Sequence, residues 1–347
     1  MGIGRRIFKS NFLIKLRSWE YWPFGIVQGP FFLYWIWLSL KARSLLFFSA
    51  SNPGILTGGM FGESKFSVLE KIPPTYKPRA ILIKHPANIE DILQSIQNAG
   101  LSFPLIFKPD LGERGFMVKR IKNKSDLSEY LNKANWDFII QEFVDLPLEF
   151  SVFYARHPDE ENGKVTSITM KEMLTVTGDG NKTLQQLILE KDRAKLQWST
   201  LQNTFADRLQ EVPVAGSHIE LVSVGNHCLG TTFLNRNNLI TDKLSASFDT
   251  ISKQVEGFYF GRYDLRAASL EDLENGKVMI VELNGCGAEP SHIYHPGASL
   301  FKALRDLYIH WRTIYRISVA NHKRGVPYLS WKKGVEVYKR FKAVTAS

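Results

Sequence analysis

Apolar and polar positions alternate along the chain in two patterns, after an aromatic block near the start. Strand-like runs with period two or continuous apolar character fall at 79–84, 103–108, 116–121, 138–143, 149–155, 164–170, 172–176, 219–224, 229–234, 258–264 and 278–283. Apolar positions three and four apart predict helices at 89–99, 125–133, 184–201 and 245–256. Gly100 is expected to close the first helix, and Ser125 to cap the second. Because the two types alternate without a strict βαβ rhythm, the pattern predicts an α+β fold of two lobes.

The aromatic block, residues 21–40, contains no charged residue. A length of roughly 20 residues is close to what a bilayer crossing needs. Its prolines and glycines argue against one continuous helix, so we expect a helix that has Pro30 at its first position and runs from Phe31 to about Phe48. The pattern favours a helix that packs in a core or lies at a membrane interface over one that spans the bilayer.

Charge is concentrated at the two ends of the chain. The net charge of +10 divides into about +6 for residues 1–48, +9 for residues 302–347 and −5 for the body between them. Basic ends suit an anionic surface, either lipid or nucleic acid, and the apolar block between the N-terminal charges favours lipid. No zinc-finger, basic-zipper or RNA-recognition motif supports nucleic-acid binding. Two cysteines exclude a disulfide scaffold and suggest a reducing compartment.

The first candidate for chemistry is the segment FPLIFKPDLGERGF at 103–116. A strand ends near Lys108, and Gly112 and Gly115 bracket a short loop before the next strand. An ammonium group beside loop amides can hold phosphate oxygens, although a hairpin with a surface lysine gives the same pattern. A second segment, FIIQEFV at 138–144 followed by Glu149, can present backbone groups to an adenine edge and a carboxylate to ribose hydroxyls.

The strongest candidate lies in FGRYDLR at 260–266 and VMIVELNGCGAEP at 278–290, with a turn expected at Asn275–Gly276. Glu282 and Asn284 are two residues apart and share one face of a strand, and Asp264 on the partner strand can face the same point. Three oxygen ligands at one place predict a Mg²⁺ site. Arg262 shares the face of Asp264, where its charge can stabilise an oxyanion or a transferring phosphoryl group. His292 and His295 follow; they can line an acceptor pocket or simply enter a turn.

In this order, the segments resemble the ATP-grasp superfamily, in particular its carboxylate–amine ligases of the D-alanine–D-alanine ligase and cyanophycin synthetase branches. The resemblance covers about residues 62–300. It lies in GRYD at 261–264, VELN at 281–284, FKPDLGERG at 107–115, QEFV at 141–144 and GDG…TLQQLI at 178–188. It implies an ATP-grasp fold with ATP between the two lobes.

The resemblance also implies a role for each motif residue. For the nucleotide these roles are Lys65 and Lys108 on the phosphates, Gly112 to Gly115 as a flap over them, Glu142, Phe143 and Val144 against adenine, and Glu149 on the ribose. For catalysis they are Lys171 at the γ-phosphate or acyl phosphate, Asp264, Glu282 and Asn284 on two Mg²⁺ ions with Glu282 bridging, and Arg262 on the tetrahedral intermediate. Mn²⁺ can take the same ligands.

Two departures from the family pattern bear on the substrate. The flap carries Glu113 and Arg114 where D-alanine–D-alanine ligases have serines, and no N-terminal βαβ domain is recognisable in the first sixty residues. Both argue against D-alanine. The chain is expected to divide into a basic aromatic segment, an N-terminal ATP-grasp lobe, a C-terminal lobe with the metal site and a basic helical extension, at 1–60, 61–145, 146–300 and 301–347.

These expectations combine into a cytoplasmic ligase that joins a small-molecule carboxylate to an amine, or less readily to a thiol, through an acyl phosphate. The N-terminal segment hints at an amphiphilic substrate and at peripheral contact with the inner face of a membrane. A kinase that phosphorylates a hydroxyl group is the alternative. A non-catalytic nucleotide-binding module is disfavoured, because all three metal-ligand positions hold competent side chains.

Overall fold

The structure is a computed structural model that describes residues 10–113, 115–223 and 225–345. Its strands are β1 (Ala80–Ile83), β2 (Leu105–Pro109), β3 (Lys119–Ile121), β4 (Phe138–Glu142), β5 (Leu148–Ala155), β6 (Lys164–Glu172), β7 (Thr175–Thr177), β8 (His218–Glu220), β9 (Thr232–Asn235), β10 (Phe260–Ala267) and β11 (Met279–Asn284). Its α-helices are α1 (Asn11–Arg17), α2 (Phe24–Ala42), α3 (Lys65–Glu70), α4 (Ile89–Asn98), α5 (Lys124–Leu131), α6 (Leu184–Glu190), α7 (Asp192–Lys195), α8 (Trp198–Thr204), α9 (Asp242–Lys253), α10 (Leu270–Glu274), α11 (Leu300–Lys323) and α12 (Trp331–Thr345).

The strands form two antiparallel sheets and one small ribbon. A four-stranded sheet has the order β1-β4-β2-β3, a five-stranded sheet the order β11-β10-β5-β6-β9, and β7 pairs with β8. Each sheet has its own apolar core, the first against α4 and α5 and the second against α9. The α+β prediction is therefore confirmed, because each of the two sheets forms its own apolar core with its own helices.

The capping residue of one helix differs from the predicted residue. The side chain of Asn123, not Ser125, caps α5, because its Oδ1 accepts from the backbone N–H of Asp126 at 3.0 Å. The helix therefore begins at Lys124. In α4 the pattern holds, since Ile92 and Ile96 are buried on one face and Gly100 follows the helix at a φ of 63°.

Two predicted continuous elements are interrupted. The helix expected at 184–201 is three short helices, because Lys191 adopts an extended conformation directly after α6. The turn expected at Asn275–Gly276 is not a two-residue hairpin loop. The connection between β10 and β11 holds α10, and Gly276, at a φ of 71°, lies just beyond the end of that helix.

The aromatic block is one helix, so the predicted start at Pro30 is wrong. Helix α2 begins at Phe24 after Pro23 and continues through Pro30 to Ala42, where Arg43 adopts a left-handed conformation. Its inner face packs against α11, with Val27 and Phe31 buried beside Leu307, and this packing outweighs the backbone hydrogen bond that Pro30 cannot donate. No helix in the described part of the chain combines the length and apolarity of a membrane-crossing segment.

Candidate functional site

Strands β10 and β11 bring the predicted acidic and amide side chains together. Their register places Asp264 opposite Glu282 and Arg262 opposite Asn284. The amide Nδ2 of Asn284 donates to Oδ2 of Asp264 at 3.0 Å. The convergence expected from strand spacing is therefore present at the end of β11, whereas the role of these residues as metal ligands stays a prediction.

Asp264 is buried, and cations from its own strand and from β6 lie close to its carboxylate. A guanidinium nitrogen of Arg262 lies 3.1 Å from Oδ2, and the ammonium of Lys171 lies 3.2 Å from Oδ1. Ser151 also donates to Oδ1. Burial alone would raise the pKa of Asp264, but the charges of Arg262 and Lys171 outweigh it and hold that pKa well below its ordinary value. The carboxylate is therefore ionised at neutral pH.

Lys171 connects this carboxylate to Glu149, its partner on β5. Its ammonium lies 3.2 Å from Oε1 of Glu149, and a guanidinium nitrogen of Arg266 lies 2.9 Å from Oε2. Burial lowers the pKa of Lys171, but the two carboxylates raise it above its ordinary value. Lys171 is thus charged at neutral pH, in a site that holds both signs of charge.

Two more lysines approach from the other sheet and from α3. Lys65 contacts the carboxylate of Glu282. Lys108 on β2 is buried, and its ammonium donates to Oε1 of Gln141 and to the carbonyl of Val281, both at 3.0 Å. Burial lowers the pKa of Lys108 to about 8, despite the nearby charge of Glu282. We use the name cation–carboxylate cluster for Lys65, Lys108, Lys171, Arg262, Asp264 and Glu282.

A carboxylate that sequence reasoning missed fixes the start of α3, where Lys65 is the first residue. Oδ1 of buried Asp110 accepts from the hydroxyl of Ser64 at 2.8 Å and from the backbone N–H of Phe66 at 2.9 Å. Asp110 follows β2 directly, so it joins the strand of Lys108 to the helix of Lys65. In the sequence, Asp110 stands between Pro109 and the glycine loop, and no pattern there indicates that it stabilises a helix start.

Replacing Asp110 by alanine is therefore expected to lower the free energy of unfolding by about 2 kcal/mol, because two hydrogen bonds at a helix start are lost. Urea unfolding measures this change. Asp110→Asn keeps an acceptor oxygen at the same place and should recover most of the loss. Equal destabilisation by both variants would mean that the charge of Asp110, not its hydrogen bonds, stabilises the start of α3.

The glycine loop lies near a second loop that the sequence did not single out. Gly112 has a φ of 156° and Gly115 a φ of 75°, and a Cβ at Gly115 would lie 2.9 Å from the amide nitrogen of Asn226. A Cβ at neighbouring Gly225 would overlap Glu149. This second loop therefore packs between the predicted flap and the cluster; Arg114 of the flap lies outside the described residues.

The three residues predicted to meet adenine lie along the exit of β4, and each has a partner in the chain. Glu142 forms an ion pair of 3.0 Å with Arg79, the guanidinium of Arg120 lies 3.8 Å from the ring centre of Phe143, and the carbonyl of Val144 accepts from Arg266 at 3.1 Å. Arg266, two residues after Asp264, connects this exit to Glu149. The period-two spacing could have identified Arg266; nothing in the sequence marked Ser151 or Gln141.

Arg262 is positioned by groups beyond the strands. One of its nitrogens donates to the carbonyl of Glu289 and to the hydroxyl of Ser291, both at 3.1 Å. Its Nε is buried and has no hydrogen-bond partner among the described residues. His292 comes next and pairs with Asp306 at 3.1 Å, whereas Nδ1 of His295 accepts from the backbone of Asn235 at 3.4 Å.

The donor set suits a hard divalent cation, although its carboxylates are few. In the part of the chain that is described, no three Asp, Glu, His or Cys side chains are grouped to hold a metal ion. The candidate set is two carboxylates and the side-chain amide of Asn284, which are oxygen donors of the kind Mg²⁺ and Mn²⁺ take when phosphates and water complete the shell. These three side chains therefore suit a Mg²⁺ or Mn²⁺ ion that a phosphate ligand also coordinates.

Comparisons with known proteins found similarity among solved structures only. No protein-family model matches the sequence, and no curated protein matches it. A D-Ala:D-Ser ligase from Enterococcus faecalis is similar at 14% identity and a TM-score of 0.41, over 72% of this chain and 61% of that one. A D-alanine–D-alanine ligase from Bacillus anthracis is similar at 12% identity and a TM-score of 0.40, over 75% and 67%.

A bifunctional glutathione synthetase from Pasteurella multocida is similar at 12% identity and a TM-score of 0.37, over 72% of this chain. This chain spans only 36% of that protein's length and 61% of the D-Ala:D-Ser ligase. Because these identities and TM-scores are low, the chemistry of this chain has to be inferred from the side chains of the cation–carboxylate cluster.

Proposed function

We propose that this chain is an ATP-grasp enzyme that joins a carboxylate to an amine and converts ATP to ADP and phosphate. The observation that carries the proposal is the cation–carboxylate cluster at the junction of the two sheets. Four cationic side chains lie with two carboxylates in a space that is partly to fully buried, and Glu149 and Arg266 extend these ion pairs beyond Lys171, which makes five cations and three carboxylates. An excess of buried positive charge is costly unless an anionic ligand balances it, and a polyphosphate with its metal ion is such a ligand.

The nucleotide is proposed to lie between the sheets, with its phosphates on Lys65 and Lys108. The loop from Gly112 to Gly115 covers the phosphates, and its glycines let backbone N–H groups approach them closely. The exit of β4 receives adenine along Glu142, Phe143 and Val144. Glu149 accepts from the ribose hydroxyls.

Asp264, Glu282 and Asn284 would hold the divalent cations. When bound, Mg²⁺ neutralises the phosphate oxygens and orients the transferring group. The excess of lysine and arginine around these ligands supports a site that is completed by phosphate oxygens.

The reaction that suits this arrangement has two steps. The substrate carboxylate attacks the γ-phosphorus, the bond from that phosphorus to the β–γ bridging oxygen breaks and ADP leaves, while Lys171 and Lys108 offset the charge that develops on the transferring group. The neutral amine then attacks the carbonyl carbon of the acyl phosphate, and Arg262 stabilises the oxyanion of the tetrahedral intermediate. The carbon–oxygen bond to phosphate breaks, phosphate leaves, and the nitrogen releases a proton to solvent as the amide forms. Nε of Arg262 has no hydrogen-bond partner in the part of the chain that the structure describes, and this supports its role at the oxyanion, because a buried donor without a partner favours an incoming acceptor.

A phosphate-release screen over pairs of carboxylates and amines, amphiphiles included, tests the proposal. With a substrate in hand, ¹⁸O in its carboxylate should appear in the released phosphate, because the acyl phosphate breaks between carbon and that oxygen. A stable phosphorylated alcohol with no phosphate release would instead establish the kinase alternative.

We also propose that the protein is cytoplasmic and makes peripheral contact with an anionic membrane. The exposed face of helix α2 supports this part of the proposal. Leu33 and Leu40 on α2 are 70% and 73% exposed, in a segment flanked by basic residues. An apolar surface with basic flanks binds lipid by apolar burial and charge together.

The chain is therefore expected to co-sediment with phosphatidylserine-containing vesicles at low salt and to be released as salt screens the charges. The double variant Leu33→Asp with Leu40→Asp should lose this binding. Val214→Asp with Leu270→Asp adds the same two charges elsewhere on the surface and should retain it. No sedimentation of the unaltered chain at low salt would rule out the membrane contact.

A further inference from the structure

A buried ion pair joins the N-terminal segment to a loop beside the cluster. Glu20 lies in a short helical turn, Trp19–Tyr21, that precedes α2. Its Oε2 lies 2.5 Å from a guanidinium nitrogen of Arg193 on α7 and 3.0 Å from Nε2 of His227. The side chains of Glu20 and Arg193 are only 6% and 9% exposed. The proposed chemistry does not use this group, which joins three segments that are far apart in the sequence.

Glu20 carries a negative charge at neutral pH. Burial alone would raise the pKa of Glu20, but the hydrogen bond from His227 and the charge of Arg193 outweigh it and hold that pKa below its ordinary value. A buried charge that loses its partner is strongly destabilising, so both partners have to stay in place around the carboxylate. The ion pair therefore fixes the position of His227 relative to the N-terminal segment.

The ion pair contacts the loop of residues 225–231 at two points. The first point is His227, which lies on the carboxylate of Glu20. The second is Thr231 at the end of the loop, because its carbonyl accepts from Arg193 at 3.4 Å. One carboxylate of the N-terminal segment thus holds the loop directly through a histidine and indirectly through an arginine.

The loop 225–231 also packs against residues of the proposed nucleotide site. A Cβ at Gly225 would overlap Oε1 of Glu149 and would lie 2.9 Å from Cδ of Lys171, so the loop backbone comes as close to both as a glycine allows. The next side chain, Asn226, packs against the predicted flap. A shift of the loop would therefore be felt by the groups proposed to contact the ribose and the γ-phosphate.

We infer that Glu20 is a positioning residue of the nucleotide site. It acts through the loop 225–231, which it holds against Glu149 and Lys171. The inference rests on the proposed function for the identity of the ligand, whereas the attachment of the loop is argued from the ion pair itself. The N-terminal segment thereby supports the site from outside the two sheets.

A native cysteine allows the loop to be observed directly. Cys228 lies in the loop and is exposed, whereas Cys286, the other cysteine of the sequence, is buried. Burial raises the pKa of the Cys286 thiol to about 12, so a thiol-reactive nitroxide should attach to Cys228 at neutral pH. The spin-label spectrum then reports the mobility of the loop on the nanosecond timescale. Cys228→Ser should take up no label, which checks where the nitroxide attaches.

Glu20→Gln keeps the shape of the side chain and removes the charge that both partners face. The label at Cys228 should become more mobile. The affinity for Mg²⁺ with a non-hydrolysable ATP analogue, measured by calorimetry, should fall about fivefold or more, which is the range of coupling between linked sites. Because such coupling is reciprocal, the same analogue should lower the mobility of the label in the chain with native Glu20. Unchanged mobility and affinity in folded Glu20→Gln would overturn the inference.

Asp249→Asn is the matched control, because it removes a buried carboxylate that holds Tyr154 and Lys253 and does not contact the loop. It should leave the label mobility and the nucleotide affinity unchanged. The same two changes in Asp249→Asn would assign the effect to lower overall stability and overturn the inference.

His227→Phe serves as a second variant if Glu20→Gln does not fold. It removes the hydrogen bond to the loop, leaves the pair of Glu20 with Arg193 in place, and keeps an aromatic ring against Tyr21 and Tyr294. It should show the same gain in label mobility and the same loss of nucleotide affinity. Unchanged values in folded His227→Phe would overturn the role of this hydrogen bond and with it the inference.

The two measurements separate this inference from the proposed function. A more mobile loop with unchanged nucleotide affinity overturns the positioning role and leaves the ligase proposal standing. No nucleotide binding by the unaltered chain overturns the proposed function, whereas the label mobility still decides whether Glu20 holds the loop.

Discussion

Replacing Asp264 by asparagine is expected to lower ATP turnover by about 10³-fold or more while the chain remains folded. Asp264 contacts Arg262, Lys171 and the side-chain amide of Asn284, so one carboxylate organises a proposed metal ligand and two cations that are proposed to act in catalysis. Asparagine keeps the shape but removes the charge that balances both cations. Initial rates of phosphate release at saturating substrate measure the effect.

The matched control is Asp249→Asn, which removes another buried carboxylate that has no hydrogen bond or ion pair with the cluster among the described residues. Asp249 accepts from Tyr154 and Gly163 and pairs with Lys253. It should lower stability but leave turnover per folded molecule unchanged. Full turnover in folded Asp264→Asn would contradict the metal assignment, and an equal loss of turnover in both variants would mean that unfolding causes it.

Spacing along strands predicted the cluster because a β-strand leaves little freedom. Arg262 and Asp264, and Glu282 and Asn284, are each two residues apart, so each pair shares a face once its strand forms. The pairing of 258–264 with 278–283 was predicted from the turn expected at Asn275–Gly276. The two strands do pair, although a helix and not a two-residue turn connects them, and their register was not predicted. The site residues at the period-two positions of β10 and β11 were therefore predictable, whereas Ser151 and Gln141, which also lie on strands, were not.

Residues that act through loops or through the ends of helices were not predictable. Asp110 and Gly225 lie in irregular backbone, and their contacts join segments that are far apart in sequence. Helix α2 continues through Pro30 because α11 packs against it, a tertiary effect that local propensity cannot express. The break at Lys191 also lacks a proline or glycine signal.

Replacing Lys108 by methionine is expected to have opposite effects on binding and stability. The ammonium is lost, so nucleotide affinity should fall about 10- to 100-fold, the range for a charged hydrogen bond. Burial lowers the pKa of Lys108 to about 8 in the folded chain, below the ordinary 10.5 of lysine. Keeping this lysine charged in the fold at pH 7 therefore costs about 3 kcal/mol, which the variant no longer bears. Val281 still accepts from Gln141 at 3.2 Å, so its carbonyl keeps a donor.

The sign of the pH dependence follows from the same lysine. Between about pH 8 and 10.5 the unfolded chain binds more protons at Lys108 than the folded chain, so the stability cost shrinks as pH rises through this range. A phosphate ligand requires the charged form, so nucleotide affinity should fall about tenfold per pH unit above pH 8. Calorimetry from about pH 7.5 to 9.5 measures this slope.

Lys108→Arg is the decisive comparison, because a guanidinium stays charged across that range. Its nucleotide affinity should be lower than that of the unaltered chain near pH 7.5, since the larger group fits the lysine site poorly, but it should stay flat with pH. A sloping profile in Lys108→Arg would assign the titration to another group. A flat profile in the unaltered chain, together with unchanged nucleotide affinity in Lys108→Met, would remove Lys108 from the phosphate site.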